Sequence, residues 1–256
     1  MDFADVHAHL ELIDAGKLKA AVARAEEAGV RSIITNGVDS ATNRKALQLQ
    51  EEFGIVKAAL GIYPVNAAAM EYSAIDTELK FMKENKDLLA ALGEIGLDYQ
   101  ETKDRKKQQD AFESQLELAR QLRKPVIVHS RGAEQEVVET LLRSGNTEVI
   151  LHAFHGSMKL VKKAADAGFC FSIPSNIIRS SHFQKMAELL PIENVLTETD
   201  APYLGPEKDG YSEPAYVART VAKIAELRRQ PVQGVADAVY KSYRKMFRIS
   251  DIEKLK

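Results

Sequence analysis

Short β-type runs alternate with helix-patterned segments along the whole chain, at a spacing of roughly 25–35 residues, the length of one βα unit. Several of the runs are continuously apolar, as in Val126-Ile127-Val128 and Val149-Ile150-Leu151. An unbroken apolar run marks a strand covered on both faces, the habit of parallel sheets. The spacing predicts strands over Phe3–His7, Ser32–Thr35, Ile55–Leu60, Leu88–Gly93, Pro125–His129, Glu148–His152, Phe169–Ile173 and Val195–Glu198. Between them it predicts helices over Leu18–Ala28, Asp39–Phe53, Ser73–Asn85, Lys106–Leu122, Glu134–Leu142, Met158–Ala167 and Phe183–Leu190, with Tyr216–Glu226 and Val232–Phe247 closing the chain. Asp39 or Ser40 suits an N-cap, and Gly29 and Gly54 suit helix stops. Eight such units in 256 residues fit an α/β fold, a (β/α)8 TIM barrel, as one domain. An open doubly wound sheet is the alternative, but no Gly-x-Gly-x-x-Gly follows the first strand.

Composition narrows the function classes without choosing one. The chain is 45% hydrophobic and 28% charged, with a formal net charge of −2, so bulk charge announces neither nucleic acid nor membrane. A polyanionic substrate would need a local basic patch or cations. The single cysteine, Cys170, cannot form an internal disulfide and reads as core packing. No apolar stretch approaches the ~18 residues of a membrane span, and Met1-Asp2-Phe3-Ala4-Asp5 lacks the basic and apolar regions of a signal peptide. The expectation is a cytoplasmic protein without an obligate protein partner.

The chemistry-bearing residues sit at the strand ends. His7 and His9 are two apart on an extended segment, so both imidazoles point the same way. Asp5 shares that alternation and could orient one of them. Glu94 follows the fourth strand between Gly93 and Gly96, and its two carboxylate oxygens suit a bridge between cations. Asp98, further along, reads as a loop-shaping residue. His129 and His152 end the fifth and sixth strands, and Asp200 closes the eighth, with Glu198 two residues earlier on the same face. Each alone has a bland reading as a cap or a surface histidine. Jointly they fall where a barrel gathers its strand ends, which points to a binuclear metal site. Imidazole with carboxylate suits zinc, manganese, iron or nickel, and magnesium stays open because carboxylates and water could complete its shell. Paired metals serve hydrolysis by activating water. Asp200 is the natural general base, able to bind a metal and accept a proton.

These motifs resemble the TatD family of metal-dependent deoxyribonucleases among the amidohydrolase-like barrels. The likeness runs in order through Asp5-Val6-His7-Ala8-His9, Gly93-Glu94-Ile95-Gly96-Leu97-Asp98-Tyr99, Pro125-Val126-Ile127-Val128-His129-Ser130-Arg131, His152-Ala153-Phe154 and Thr197-Glu198-Thr199-Asp200-Ala201-Pro202-Tyr203. It implies one metal among His7, His9, Glu94 and Asp200, and a second among Glu94, His129 and His152. It implies hydrolysis of DNA phosphodiesters, often from the 3′ end.

Two positions depart from the family pattern. Gly61-Ile62-Tyr63-Pro64-Val65 lacks the histidines many relatives carry there, and His155 stands where relatives often have Thr or Ser. Tyr63 could hydrogen-bond or stack on a base and His155 could contact a phosphate; either could equally be loop packing. Arg131 is a candidate phosphate clamp. Lys103, Arg105, Lys106 and Lys107 could steer a nucleic-acid strand or form a solvated face. A rival reading is a binuclear esterase or amidase of the same architecture, such as an aminoacyl-tRNA deacylase. Many such barrels bridge their metals with a carboxylated lysine; here Glu94 holds that place. The remaining rival is a non-catalytic metal-binding scaffold.

Overall fold

A computed structural model describes residues 1–208 and 210–249. Eight parallel strands form one sheet in chain order: β1 Phe3–Ala8, β2 Val30–Asn36, β3 Val56–Leu60, β4 Leu89–Asp98, β5 Val126–Arg131, β6 Val149–His152, β7 Cys170–Ile173 and β8 Val195–Thr197. The helices are α1 Ala15–Glu27, α2 Ser40–Glu52, α3 Pro64–Ala69, α4 Tyr72–Glu84, α5 Arg105–Leu122, α6 Glu134–Ser144, α7 Met158–Asp166, α8 Ser181–Leu189, α9 Val217–Arg228 and α10 Val232–Met246. This is the (β/α)8 barrel that the βα rhythm predicts. The seam between β8 and β1 is joined by side chains. Thr197 Oγ1 donates to the Ala4 carbonyl (2.8 Å), and the Thr199 amide donates to Asp5 (2.9 Å).

Helix starts follow local capping chemistry. Asp39 accepts from the Thr42 amide while the Thr42 hydroxyl accepts from the Asp39 amide, a reciprocal box that begins α2. Asp104 does the same service for α5 through the Lys107 amide. One α-helix went unforeseen: α3, opened by Pro64 at its first turn. Its preset φ suits that position, and six residues leave too little periodicity to read from sequence. Gly54 is not a left-handed stop, because α2 ends on Phe53 in an extended conformation.

Two cores divide along the strands. Ala4, Val6, Ile34, Ala59, Ala91, Ile127, Ile150, Cys170 and Leu196 fill the barrel interior, and Tyr243 and Met246 of α10 join them. Alternate residues such as Val126, Val128, Val149, Leu151 and Phe171 pack outward under the helices. Cys170 is buried there, as expected, and burial pushes its thiol up to about 11.

That alternation sets which residues reach the mouth. Two residues beyond Ile127, Ile150 and Leu196 lie His129, His152 and Glu198, on the inward face of the next layer. Two strands reach the same result by slipping. In β1, Asp5 pairs with Ile33 and Ala8 with Thr35, so β1 carries one extra residue. In β4, Leu92 pairs with Val126 and Ile95 with Val128, again one residue in excess. Each is a bulge, which re-aims the following side chains. Val6 therefore faces in while Ala8 faces out, and His7 and His9 turn inward. Glu94 turns inward in the same way.

Candidate metal centre

Six side chains converge at the C-terminal end of the barrel. His7 Nε2 lies 3.2 Å from His9 Nε2, 3.4 Å from Asp200 Oδ1 and 3.7 Å from Glu94 Oε2. His9 Nε2 lies 3.3 Å from Glu94 Oε2 and 3.5 Å from Asp200 Oδ1. The other Glu94 oxygen, Oε1, faces His129 Nδ1 at 2.9 Å and His152 Nε2 at 3.7 Å. One carboxylate thus addresses two groups of donors, one with each oxygen.

The arrangement fits a cation. Donor atoms sharing one ion at ~2.1 Å in a tetrahedral shell lie ~3.4 Å apart. The five separations among His7, His9, Glu94 Oε2 and Asp200 span 3.2–3.7 Å. His7, Glu94 and His152 form a second compact set of possible ligand atoms. His7, His9, Glu94 and His152 are buried, whereas the side chains of His129 and Asp200 are each 13% exposed, on the side toward the mouth.

Each imidazole that faces the centre with one nitrogen is held by the other, the usual means of fixing ring orientation and tautomer. His129 Nε2 meets Asp98 Oδ2 at 3.1 Å, and His152 Nδ1 meets Glu198 at 3.0 Å. His9 Nδ1 meets the Asn36 carbonyl at 2.9 Å and Glu11 at 3.1 Å. Ser172 donates to Glu198 in turn. His7 differs: its Nδ1 is buried without a partner among the described residues, and its ring instead stacks on His152 with centroids 3.7 Å apart.

Proton affinities record the crowding. Burial works against charge on His152, but the Glu198 carboxylate overrides it and raises the imidazole to about 9. Burial likewise opposes charge on His9, yet Glu11 and Glu94 raise it well above the ordinary value. In His7, burial wins, reinforced by the neighbouring His152, and the pKa falls. Glu94 is held well below the carboxylate range despite burial, because His129 and His9 contact it. Burial lifts Asp200 above the usual value.

The sequence-derived roles of several neighbours need revision. Asp5 does not touch the imidazoles. It accepts from the His7 and Thr199 amides and the Thr199 hydroxyl, clasping the loop that carries Asp200 to β1. The β1 bulge explains this, since it turns Asp5 away from the face of His7. Asp98 does shape its loop, accepting from the Gln100 and Glu101 amides at 3.0 Å, but its other oxygen anchors His129. It belongs to β4, which runs five residues beyond its expected end. Glu198 and Asp200 lie beyond β8, which stops at Thr197. Asp200 takes a left-handed backbone with φ of 52°, and its amide donates to the His7 carbonyl at 2.9 Å.

The proposed substrate residues lie further out. Tyr63 is the exception: its hydroxyl donates to Asp98 Oδ2 at 3.0 Å and lies 3.2 Å from His129 Nε2. Arg131 is half exposed and pairs with Glu101 at 2.8 Å. His155 is exposed and stacks on His182, centroids 5.2 Å apart. In the basic run, Lys106 pairs with Asp110 at 2.7 Å and Arg105 covers the Tyr99 ring at 4.3 Å. Sequence reasoning missed Glu11 and Asn36 as holders of His9, and nothing in their local pattern marks them.

Comparison with known proteins agrees with this geometry. The family described as TatD related DNase matches residues 4–248. Human deoxyribonuclease TATDN3 is 32% identical, over 95% of this chain and 93% of its own length. An uncharacterized metal-dependent hydrolase of Bacillus subtilis, YabD, is 31% identical over 96% of this chain and 99% of its own. Among solved structures, the TatD homologue YjjV of Escherichia coli superposes with a TM-score of 0.89 at 28% identity, covering 97% of this chain and 98% of that one. The chain belongs to the TatD-related DNase family of metal-dependent hydrolases.

Proposed function

We propose that this protein hydrolyses phosphodiester bonds in DNA, removing nucleotides from the 3′ end, with two divalent cations held at the barrel mouth. The observation that carries the reading is the split carboxylate of Glu94. Its Oε2 shares a ligand set with His7, His9 and Asp200, and its Oε1 shares another with His129 and His152. When bound, such ions acidify water and neutralise phosphoryl oxygens.

The chain's own groups then have distinct tasks. Glu94 bridges. Asp98 and Glu198 keep His129 and His152 in the tautomer that leaves a lone pair facing the centre. Asp200 is the base. Burial raises its proton affinity, and its partial exposure gives the proton a route to solvent. Tyr203, 55% exposed and 6.2 Å from the His9 ring, stands at the mouth where a terminal base would stack. Relatives named deoxyribonuclease support this substrate class.

The test is metal-loaded protein incubated with single-stranded DNA labelled at either end, beside an aminoacyl-tRNA ester. Stepwise shortening of 5′-labelled strands, with early release of a 3′ label, is the expected result. Ester hydrolysis without DNA cleavage would move the function to the esterase class, and silence on both substrates would favour a scaffold.

A further inference from the structure

A cavity of about 960 Å³ opens at the opposite end of the barrel, among the first residues of β2 to β4, the segment that leads into β5 and the end of α10. That volume lies within the range that accommodates a small organic ligand. Its wall is basic. Arg31, Lys57, Arg123, Lys124, Arg244 and Arg248 line it against two acids, Asp2 and Asp87. The excess of cations is local, because the whole chain carries a net charge of −2. Arg31 is paired with Asp2 at 2.9 Å and Arg248 with Glu148 at 2.5 Å, while Lys124 is tied to the Leu89 carbonyl at 2.6 Å and Arg244 to the Ile249 carbonyl at 3.3 Å. The side chains of Lys57 and Arg123, by contrast, have no carboxylate partner among the described residues.

The floor has a different chemistry. Tyr240, Tyr243 and Phe247 form a row of tilted rings, the aromatic ladder, with successive centroids 5.5 and 5.1 Å apart, planes 38° and 42° to one another, and the middle ring buried. Beside them, Ser32 lies two residues before Ile34 on the inward face of β2. The Ser32 hydroxyl is buried, lines the cavity and has no hydrogen-bond partner among the described residues. A buried hydroxyl is ordinarily hydrogen-bonded, and leaving it without a partner is costly. It therefore points to a ligand with a polar atom at the floor.

We infer that this cavity is a binding site for a nucleoside monophosphate, with the phosphate on the cationic wall, the flat base on the aromatic ladder and a polar atom of the base or sugar on Ser32. The cations select the anion, the rings select a planar group, and the hydroxyl distinguishes both from a bare phosphate. The site lies at the end of the barrel away from the metal centre, so it stands independently of the hydrolytic reading.

The experiment is calorimetric titration of the full-length, metal-loaded chain with dAMP, adenosine and inorganic phosphate. We expect saturable dAMP binding with a Kd below about 1 mM, and much weaker binding of either half alone. In the double variant Lys57→Glu/Arg123→Glu, dAMP affinity falls at least about tenfold, with melting temperature and DNA cleavage unchanged. Ser32→Ala weakens binding a few-fold. The inference is overturned if wild-type protein shows no saturable binding, or if the double variant binds dAMP as wild type does, which would place the nucleotide at the catalytic mouth. Equal affinity for phosphate alone would overturn the nucleotide assignment.

Discussion

At the scale of single residues, the centre is built from two kinds of group with separable effects. On the proposed two-ion reading Glu94 serves both sets, so Glu94→Ala should reduce bound metal at both positions, whereas His152→Ala should empty mainly one. Elemental analysis of the two variants makes the comparison, and an unchanged count in Glu94→Ala would contradict the bridge. Asp200→Asn retains one oxygen for a ligand but cannot take a proton. Losing a general base costs ~10²–10⁴ in rate, so kcat should collapse while metal content and DNA binding persist. The groups behind the imidazoles act differently. Asp98→Asn should weaken metal binding about 10–100-fold, the usual consequence of losing a ligand's hydrogen-bond partner. Tyr63 contacts Asp98 and His129, so Tyr63→Phe should shift metal affinity in the same direction, by less, with KM for DNA nearly constant. A raised KM at unchanged metal affinity would instead make Tyr63 a substrate contact.

At the scale of elements, the bulges in β1 and β4 aim the ligands, and close backbone packing keeps β4 in place. A Cβ at Gly61 would sit 2.6 Å from the Glu94 carbonyl. At Gly96, where φ is +141°, it would sit 2.0 Å from the His129 carbonyl on β5. Ala at position 96 therefore faces both an unfavourable backbone and a backbone clash. Gly96→Ala should cost about 3 kcal/mol or more, a fall of roughly 6–12 °C in Tm for a chain of this size, and should disturb the metal centre with it. Gly54→Ala is the control. Its Cβ would meet nothing within 4 Å, and replacing a tolerant glycine stabilises by ~0.4–1 kcal/mol through the unfolded chain. Calorimetric scans of the two variants should move in opposite directions.

At the scale of the whole molecule, the centre couples protons, metal and stability. His152 has a folded pKa of about 9 against an ordinary 6.5, set by Glu198. Because the folded value is the higher one, its contribution to the metal-free fold is complete below pH ~6.5 and lost as pH rises through about 9. Metal needs the neutral ring, so binding releases a proton in the same window and tightens as pH rises. The Tm difference between metal-loaded and metal-stripped protein should therefore widen from pH 6.5 to 9. Scans across that range test it, with proton release read from titrations in buffers of different ionisation enthalpy. A difference that narrows with pH would contradict the role given to His152. Among the described residues, no helix is long and apolar enough to cross a membrane.

The sequence alone determined the barrel and its six ligand candidates, because both are periodic. Apolar runs such as Val126-Ile127-Val128 mark strands covered on two faces, and a histidine or acid directly after such a run must emerge at the strand end. Only the tertiary structure decided how those six are aimed. The β1 bulge separates Asp5 from His7 and His9, and the β4 bulge turns Glu94 inward; neither extra residue changes the composition of its strand. The same holds for the residues that hold the imidazoles. Asn36 reaches His9 from 27 positions away, Asp98 reaches His129 from 31 and Glu198 reaches His152 from 46. Such partners are adjacent only because the strands close into a ring, and adjacency across a closed sheet leaves no local pattern in the chain that forms it.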